Sequence, residues 1–267
     1  MVGFVGAFVG VGGGILLLLI FMFLAEGLEF NQFEKVRIVI ANTAIVLLGV
    51  QLVLGSKRIA SKRFYFKNSV AITIPAVIVA AIVSYFLIYH ALVSLTVFKI
   101  FFILFVFYSS YILITNKERR IFEKCCRGGI RGNTRNFGAG TLSGLTTALT
   151  GSDSGIFIVP VLNKYCDIDI RKAVNIYNTS LIFILLIVVG MYTFPLGNAQ
   201  LNSNDFLGYI YLPYAIPMLL GAALAALPGY SLFNKIKFNY FVYPLVFIFA
   251  ITAIRIVFYE IIFPLYN

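Results

Sequence analysis

The stretch "GSDSGIFIVP" (residues 151–160) breaks a long apolar run with two glycines around three polar residues. An earlier stretch, "GVGGGILLLL" (residues 10–19), has the same shape, with Gly12 where the later one has the carboxylate Asp153. Glycine inside a helix costs about 0.5–1 kcal/mol relative to alanine. Four glycines in five positions therefore favour a break over a continuous helix. Whether the chain crosses at such a break or turns back decides the fold.

The surroundings set the medium. The chain has 267 residues, of which 61% are hydrophobic and only 12% charged. A water-soluble domain is nearer half apolar and a quarter charged. Runs such as residues 72–89 and 98–114 are long and nearly uncharged, as a bilayer span requires. The reading is an all-α polytopic membrane protein with about eight hydrophobic segments. The net charge of +11 does not point to nucleic acid, because seventeen of the 21 Lys and Arg lie in four short loops between apolar segments. Basic loops of that kind are held on the cytoplasmic side of a membrane. Cys125, Cys126 and Cys166 fall in those loops and are read as free thiols, with no disulfide, no metal and no cofactor. The start of the sequence shows neither a basic n-region nor a myristoylation signal.

An internal repeat organises the chain. Sliding the sequence by 141 residues brings Gly3 onto Gly144, Ala7 onto Ala148, Gly10 onto Gly151 and Gly14 onto Gly155. After a short gap, "ANTA" (residues 41–44) meets "YNTS" (residues 177–180), and "IPAVIVAA" from Ile74 meets "IPMLLGAA" from Ile216. Duplicated four-element units are common in transporters. The division is a first repeat at 1–115, a basic linker at 116–136 and a second repeat at 137–267.

Charge orients the copies. The segments 55–67 and 116–135 carry five and seven basic residues, so both are placed inside. The "NKIK" loop (234–237) is basic while 195–205 has no basic residue, which puts the former inside and the latter outside. Residues 173–194 then run outward, and the segment 137–162 must enter and leave on one side. It is predicted as a re-entrant hairpin broken at Gly151–Gly155. For residues 2–24 a hairpin and a single span both satisfy the charges, and repeat symmetry favours the hairpin. Each half then has one hairpin and three spans, an odd number, so the halves are inverted.

A break at membrane depth survives only where protein buries it or where it lines a wet cavity. A half-helix starting near Gly14 or Gly155 aims free N–H groups, its positive end, into that space, which suits an anion. The outer glycines Gly3, Gly6, Gly10, Gly140 and Gly144 are read as close helix packing. Gly12, Gly13, Gly14, Ser152, Ser154 and Gly155 are read as substrate-binding. Asn42, Thr43, Asn178, Thr179 and Ser180 join them, as polar groups repeated in both copies of an otherwise apolar helix. Asp153, a carboxylate deep in an apolar segment, is assigned to coupling or gating, with capping of the second half-helix as its other role. Lys99 is read as snorkelling to the interface from a helix end, and Arg255 as snorkelling or pairing with Glu260. His90 receives no role. No group of residues suits catalysis, so an enzyme is not expected.

At these residues the chain resembles the sulfite exporter TauE/SafE family of membrane permeases. The resemblance rests on "GFVGAFVGVGGGILLLL" (3–19), "GAGTLSGLTTALTGSDSGIFIVPVL" (138–162), "RKAVNIYNTS" (171–180) and "IPMLLGAALAALPGYSLF" (216–233). It implies export of a sulfur-containing anion such as sulfite or a sulfonate. The chain departs from the family pattern where Ser152, Asp153 and Ser154 stand in place of glycines, and proline follows only the second break, at Pro160. A carboxylate there opposes an anion unless protonated, which also leaves a cationic or zwitterionic substrate open. The expectation is a multi-pass protein of the cell membrane, with a homodimer open as its assembly. It exports the anion by alternating access with possible proton coupling and has no nucleic-acid partner. A carrier of another small anion or metabolite, or a non-transporting scaffold, is the alternative.

Overall fold

The computed structural model describes residues 13–63, 65–90, 93–116, 133–155, 158–159, 162, 170–195 and 205–233. Gly12 lies outside the described residues, as do Gly3, Gly6, Gly10, the three cysteines, Pro160, the "NKIK" loop, Arg255 and Glu260.

The described chain is helical apart from one small hairpin. Helices α1 (Gly13–Glu26), α2 (Gln32–Ala60), α3 (Phe66–Tyr89) and α4 (Leu95–Asn116) form the first half. The second half holds α5 (Asn133–Thr150), α6 (Ile170–Thr193), the strands β1 (Phe206–Leu207) and β2 (Ile210–Tyr211), and α7 (Leu212–Phe233). The strands pair antiparallel, Phe206 opposite Tyr211. Stretches of α2, α3, α6 and α7 (Gln32–Ala60, Ser69–Tyr89, Lys172–Thr193 and Leu212–Ser231) are long and apolar enough to cross a bilayer. The protein is thus an all-α integral membrane protein in its described part.

The two surfaces of the bundle follow from helical periodicity. Ile74, Ile78 and Ile82 stand one turn apart on α3 and are all exposed, as are Ile216, Leu220 and Leu224 on α7. Stripes of exposed branched side chains would be a liability in water and are the expected face toward lipid tails. By contrast α1 is apolar yet buried along most of its length, from Gly13 to Ala25. Its described part, Gly13–Glu26, lies in the interior of the bundle.

Contacts fix the helix directions. Lys172 at the start of α6 lies over the Tyr65 ring, at 5.6 Å, beside the start of α3. The other end of α6 reaches the start of α2, because Tyr209 N donates to Tyr192 O at 3.0 Å and Arg37 donates to the Tyr209 hydroxyl at 3.2 Å. So α6 runs opposite to α2. Helix α7 begins where Tyr211 N meets Asn42 and ends where Tyr230 and Ser231 face Lys57 and Ser61, so it runs along α2 and opposite to α3. One end of the bundle thus gathers Lys57, Lys62, Arg63 and Lys172, and the other carries the β1–β2 hairpin.

Glycine sets the closest approach. A Cβ on Gly140 would strike Ile72 O and Pro75, and one on Gly144 would strike Ala76 O, so α5 lies backbone to backbone against α3 and parallel to it. Both outer glycines of the second copy are packing positions. Because α5 starts beside the first turns of α3, and α6 starts beside Tyr65, the chain between them returns to the end it left.

Two expectations need correction. Lys99 does not snorkel: its ammonium pairs with Glu26 at 2.8 Å with the Lys99 side chain only 8% exposed, tying α4 to the end of α1. Arg58 does not belong to a solvated basic loop. Helix α2 continues to Ala60 and turns Arg58 inward, 2% exposed, while Lys57, Lys62 and Arg63 face out.

Candidate functional site

The second break is a left-handed turn. Gly151 has φ +64°, a conformation that side chains with a Cβ rarely adopt, and its position lies against Ile40 O of α2. The helix of α5 stops there, Gly151 N bonding back to Thr147 O at 2.8 Å. Gly155 resumes helical geometry, with Asp153 Oδ1 accepting its N–H at 2.7 Å. The carboxylate thus caps the second half-helix, as Asp does at helix starts.

Polar side chains of α5 and α6 surround the break. The Ser154 hydroxyl lies 3.1 Å from the Ser143 hydroxyl, 3.3 Å from Thr147 and 3.0 Å from the Tyr177 hydroxyl. Ser154 N donates to the same Tyr177 oxygen at 2.9 Å, and Ser152 N donates to Thr150 Oγ1 at 3.1 Å. Ser152, Asp153, Ser154 and Tyr177 are all at most 2% exposed. Each of these amides is answered by a hydroxyl or carboxylate rather than by a helix carbonyl, so the donors of the break stay together in a dry interior.

The glycine stretch of the first copy meets the second break. A Cβ on Gly14 would sit 2.5 Å from Asp153 N and 3.1 Å from the Ser152 Cα. Backbone against backbone, the start of α1 is seated on the Ser152–Asp153 turn, and both Gly13 and Gly14 are buried. Only glycine permits this approach. The structure therefore brings together Gly13, Gly14, Ser152, Asp153, Ser154 and Gly155.

The Asn-Thr pairs flank this point on α2 and α6 and are buried without exception. Thr43 and Thr179 share one geometry, each hydroxyl donating to the carbonyl one turn back, Val39 O at 2.7 Å and Asn175 O at 2.8 Å. Ser180 donates to Ile176 O and lies 3.4 Å from Ser69 O of α3. These three hydroxyl protons are directed at backbone and away from any shared centre. The asparagines differ. Asn42 Oδ1 accepts Tyr211 N of the hairpin at 3.2 Å, whereas Asn178 Oδ1 accepts Gln51 Nε2 at 3.4 Å.

Several residues in this constellation escape a reading of the sequence. Ser143, Thr147 and Thr150 are lost among the small residues of α5, although the first two meet the Ser154 hydroxyl and the third meets that of Ser152. Tyr177 reads as an ordinary aromatic beside the Asn-Thr pair. Gln51 and Arg58 carry a usable signal, since a spacing of seven places them on one face of a helix that is otherwise apolar there. Arg58 Nη1 donates to Gln51 Oε1 at 3.1 Å.

Chemically the region is built from donors held by weak internal acceptors next to one carboxylate, with no nucleophile–base pair in reach among the described residues. A family model described as "Sulfite exporter TauE/SafE" matches residues 1–256. No curated protein and no solved structure matches the chain. With the match spanning both breaks and both Asn-Thr pairs, this chain belongs to the sulfite exporter TauE/SafE family of membrane permeases.

Proposed function

We propose that the protein exports a small sulfur-containing anion, sulfite or a sulfonate, through the cell membrane by alternating access. The observation that carries this reading is the seating of Gly14 on the Ser152–Asp153 backbone. It brings the glycine stretch of the first copy against the helix start at Gly155, a positive dipole end, in the bundle interior. The opposed directions of α2 and α6, and of α3 and α7, support two inverted repeats. The shared end of α5 and α6 supports a re-entrant second hairpin.

The internal hydrogen bonds suggest how the anion is taken up. Asp153 Oδ1 and the Tyr177 hydroxyl occupy the acceptor positions at Gly155 N and Ser154 N. An oxyanion takes the same two donors in their place. A proton on Asp153 removes the charge that opposes the anion and weakens its hold on the Gly155 amide. Anion and proton then load together, and the coupling follows from competition for one N–H. The basic end of the bundle faces the cytoplasm and the hairpin end faces out.

The test is efflux from proteoliposomes loaded with sulfite, a sulfonate, sulfate or acetate, with and without a pH gradient, for the wild type and Asp153→Asn. Asn keeps an acceptor for Gly155 N, so the variant is expected to fold and to lose the response to pH. Release of sulfite or the sulfonate that depends on the gradient and on Asp153 supports the reading. Folded wild-type protein that moves none of the sulfur anions sinks it.

A further inference from the structure

Charge at the basic end of the bundle is unevenly placed. Lys57, Lys62 and Arg63 are exposed, as a basic loop facing the cytoplasm requires, but Arg58 is 98% removed from solvent by its 2% exposure. Its Nη1 is bonded to Gln51, while its Nε, equally buried, has no partner. Buried donors in native structures are nearly always satisfied, so an exception calls for an occupant. A charged group inside a membrane protein marks a substrate or ion path by default.

The neighbours of Arg58 give the path a direction. Gln51 turns from Arg58 to Asn178, and Tyr177, the residue before Asn178, holds Ser154 at the break. Asp153 lies within electrostatic reach of Arg58, and so does Tyr230. Tyr230 helps line a cleft of about 360 Å³ between the last turns of α2 and α7, together with Lys57, Ser61 and Ser231. Polar groups are thus placed in sequence from a cleft at the basic end, past a buried guanidinium, to the second glycine break.

We infer that Arg58 is an anion-contacting residue of the transport path, receiving an oxyanion on its unpartnered Nε edge between the basic cleft and the glycine breaks. The inference rests on the proposed export of an anion. A guanidinium grips two oxygens of one anion through parallel N–H groups, which a lysine ammonium cannot reproduce. Sulfite and sulfonates present such oxygens. Asp153 lies within electrostatic reach of the Arg58 charge, so a carboxylate near an anion route ceases to be a contradiction. Gln51 is a positioning residue, holding one edge of the guanidinium so that the other remains available.

The experiment compares wild type, Arg58→Gln, Arg58→Lys and, for an exposed charge of the same loop, Arg63→Gln. It reads sulfite efflux from proteoliposomes (KM and kcat) and the rise in Tm that sulfite, against chloride, gives the detergent-solubilised protein. Arg58→Gln is expected to raise KM at least tenfold and to abolish the sulfite-dependent rise in Tm, with Arg63→Gln unchanged in both. Arg58→Lys, expected to fold even if the glutamine variant does not, keeps the charge but not the two-point grip; its KM should rise with kcat retained. A wild-type KM and Tm response in either Arg58 variant overturns the inference while leaving the export reading intact. Should wild type move sulfate or acetate but no sulfite or sulfonate, the substrate assignment fails, and the same variants decide the role of Arg58 with the anion that moves. No anion moved or bound by folded wild type overturns both.

Discussion

Asn42 and Asn178 open the same Asn-Thr pair on helices that run in opposite directions, and each is tied to a different kind of neighbour. Asn42 faces the hairpin end: it accepts Tyr211 N, and above it Arg37 donates to Leu87 O at 3.0 Å and to Tyr209. Burial pushes the Tyr209 phenol above its ordinary pKa, and the Arg37 guanidinium beside it pulls the other way. Asn178 faces the basic end, where it meets Gln51 and through it a buried cation. The threonines that follow are interchangeable in geometry. The lesson is that a duplicated motif preserves local hydrogen bonding, while each copy meets different neighbours. The β1–β2 hairpin meets one copy; Gln51 of α2 meets the other.

That contrast can be broken at its centre. Gly151 anchors the second break to Ile40, two residues before Asn42, with φ +64° and no room for a Cβ. Gly151→Ala is expected to destabilise the protein by more than about 2 kcal/mol, seen as loss of a monodisperse peak on size-exclusion after mild heating. Gly190→Ala, in open space on α6, should instead leave the melting temperature unchanged or raise it. Equal behaviour of the two would mean the joined breaks are not the tight point of the fold.

Asn178→Ala leaves the Gln51 amide without its acceptor in a buried setting, where an orphaned group costs about 1–3 kcal/mol. The melting temperature should fall accordingly, and more than in Asn42→Ala, which loses a bond to one half-buried backbone amide, worth about 0.5–1.5 kcal/mol, and a second to a carbonyl of its own helix, Ile38 O. Hydrogen exchange separates them further: Asn42→Ala should speed exchange across 205–211 and leave the region around Gln51 protected. Faster exchange at both places would show the two copies to be one coupled network. The smallest effect belongs to Tyr209→Phe, which removes one acceptor from Arg37 but keeps the ring beneath it at 5.6 Å. A loss within about 1 kcal/mol is expected, with exchange altered only at the hairpin.

Much of the architecture is legible in the order of residues. Long uncharged runs and a duplicated pattern of glycines, Asn-Thr pairs and Ile-Pro steps mark membrane helices in two copies, because a bilayer core admits little else. The glycine breaks are legible too, since no other residue makes so poor a helix interior so cheaply in space. The small residues of α5 hide Ser143 and Thr147 among others of their kind, and Tyr177 reads as one more aromatic. Charge counts, which set orientation, assign every basic residue of a loop to the same side.

Tertiary structure alone decided which of those charges turns inward. Arg58 and Lys57 are neighbours in sequence and differ only in the face of α2 they occupy, and that face becomes interior because α6 and α7 cover it. The same holds for the meeting of Gly14 with Ser152 and Asp153, more than 130 positions away. Local preference places a glycine stretch in each copy; the close approach of two backbones, with no room for a Cβ between them, is a property of the packed bundle and is what joins them.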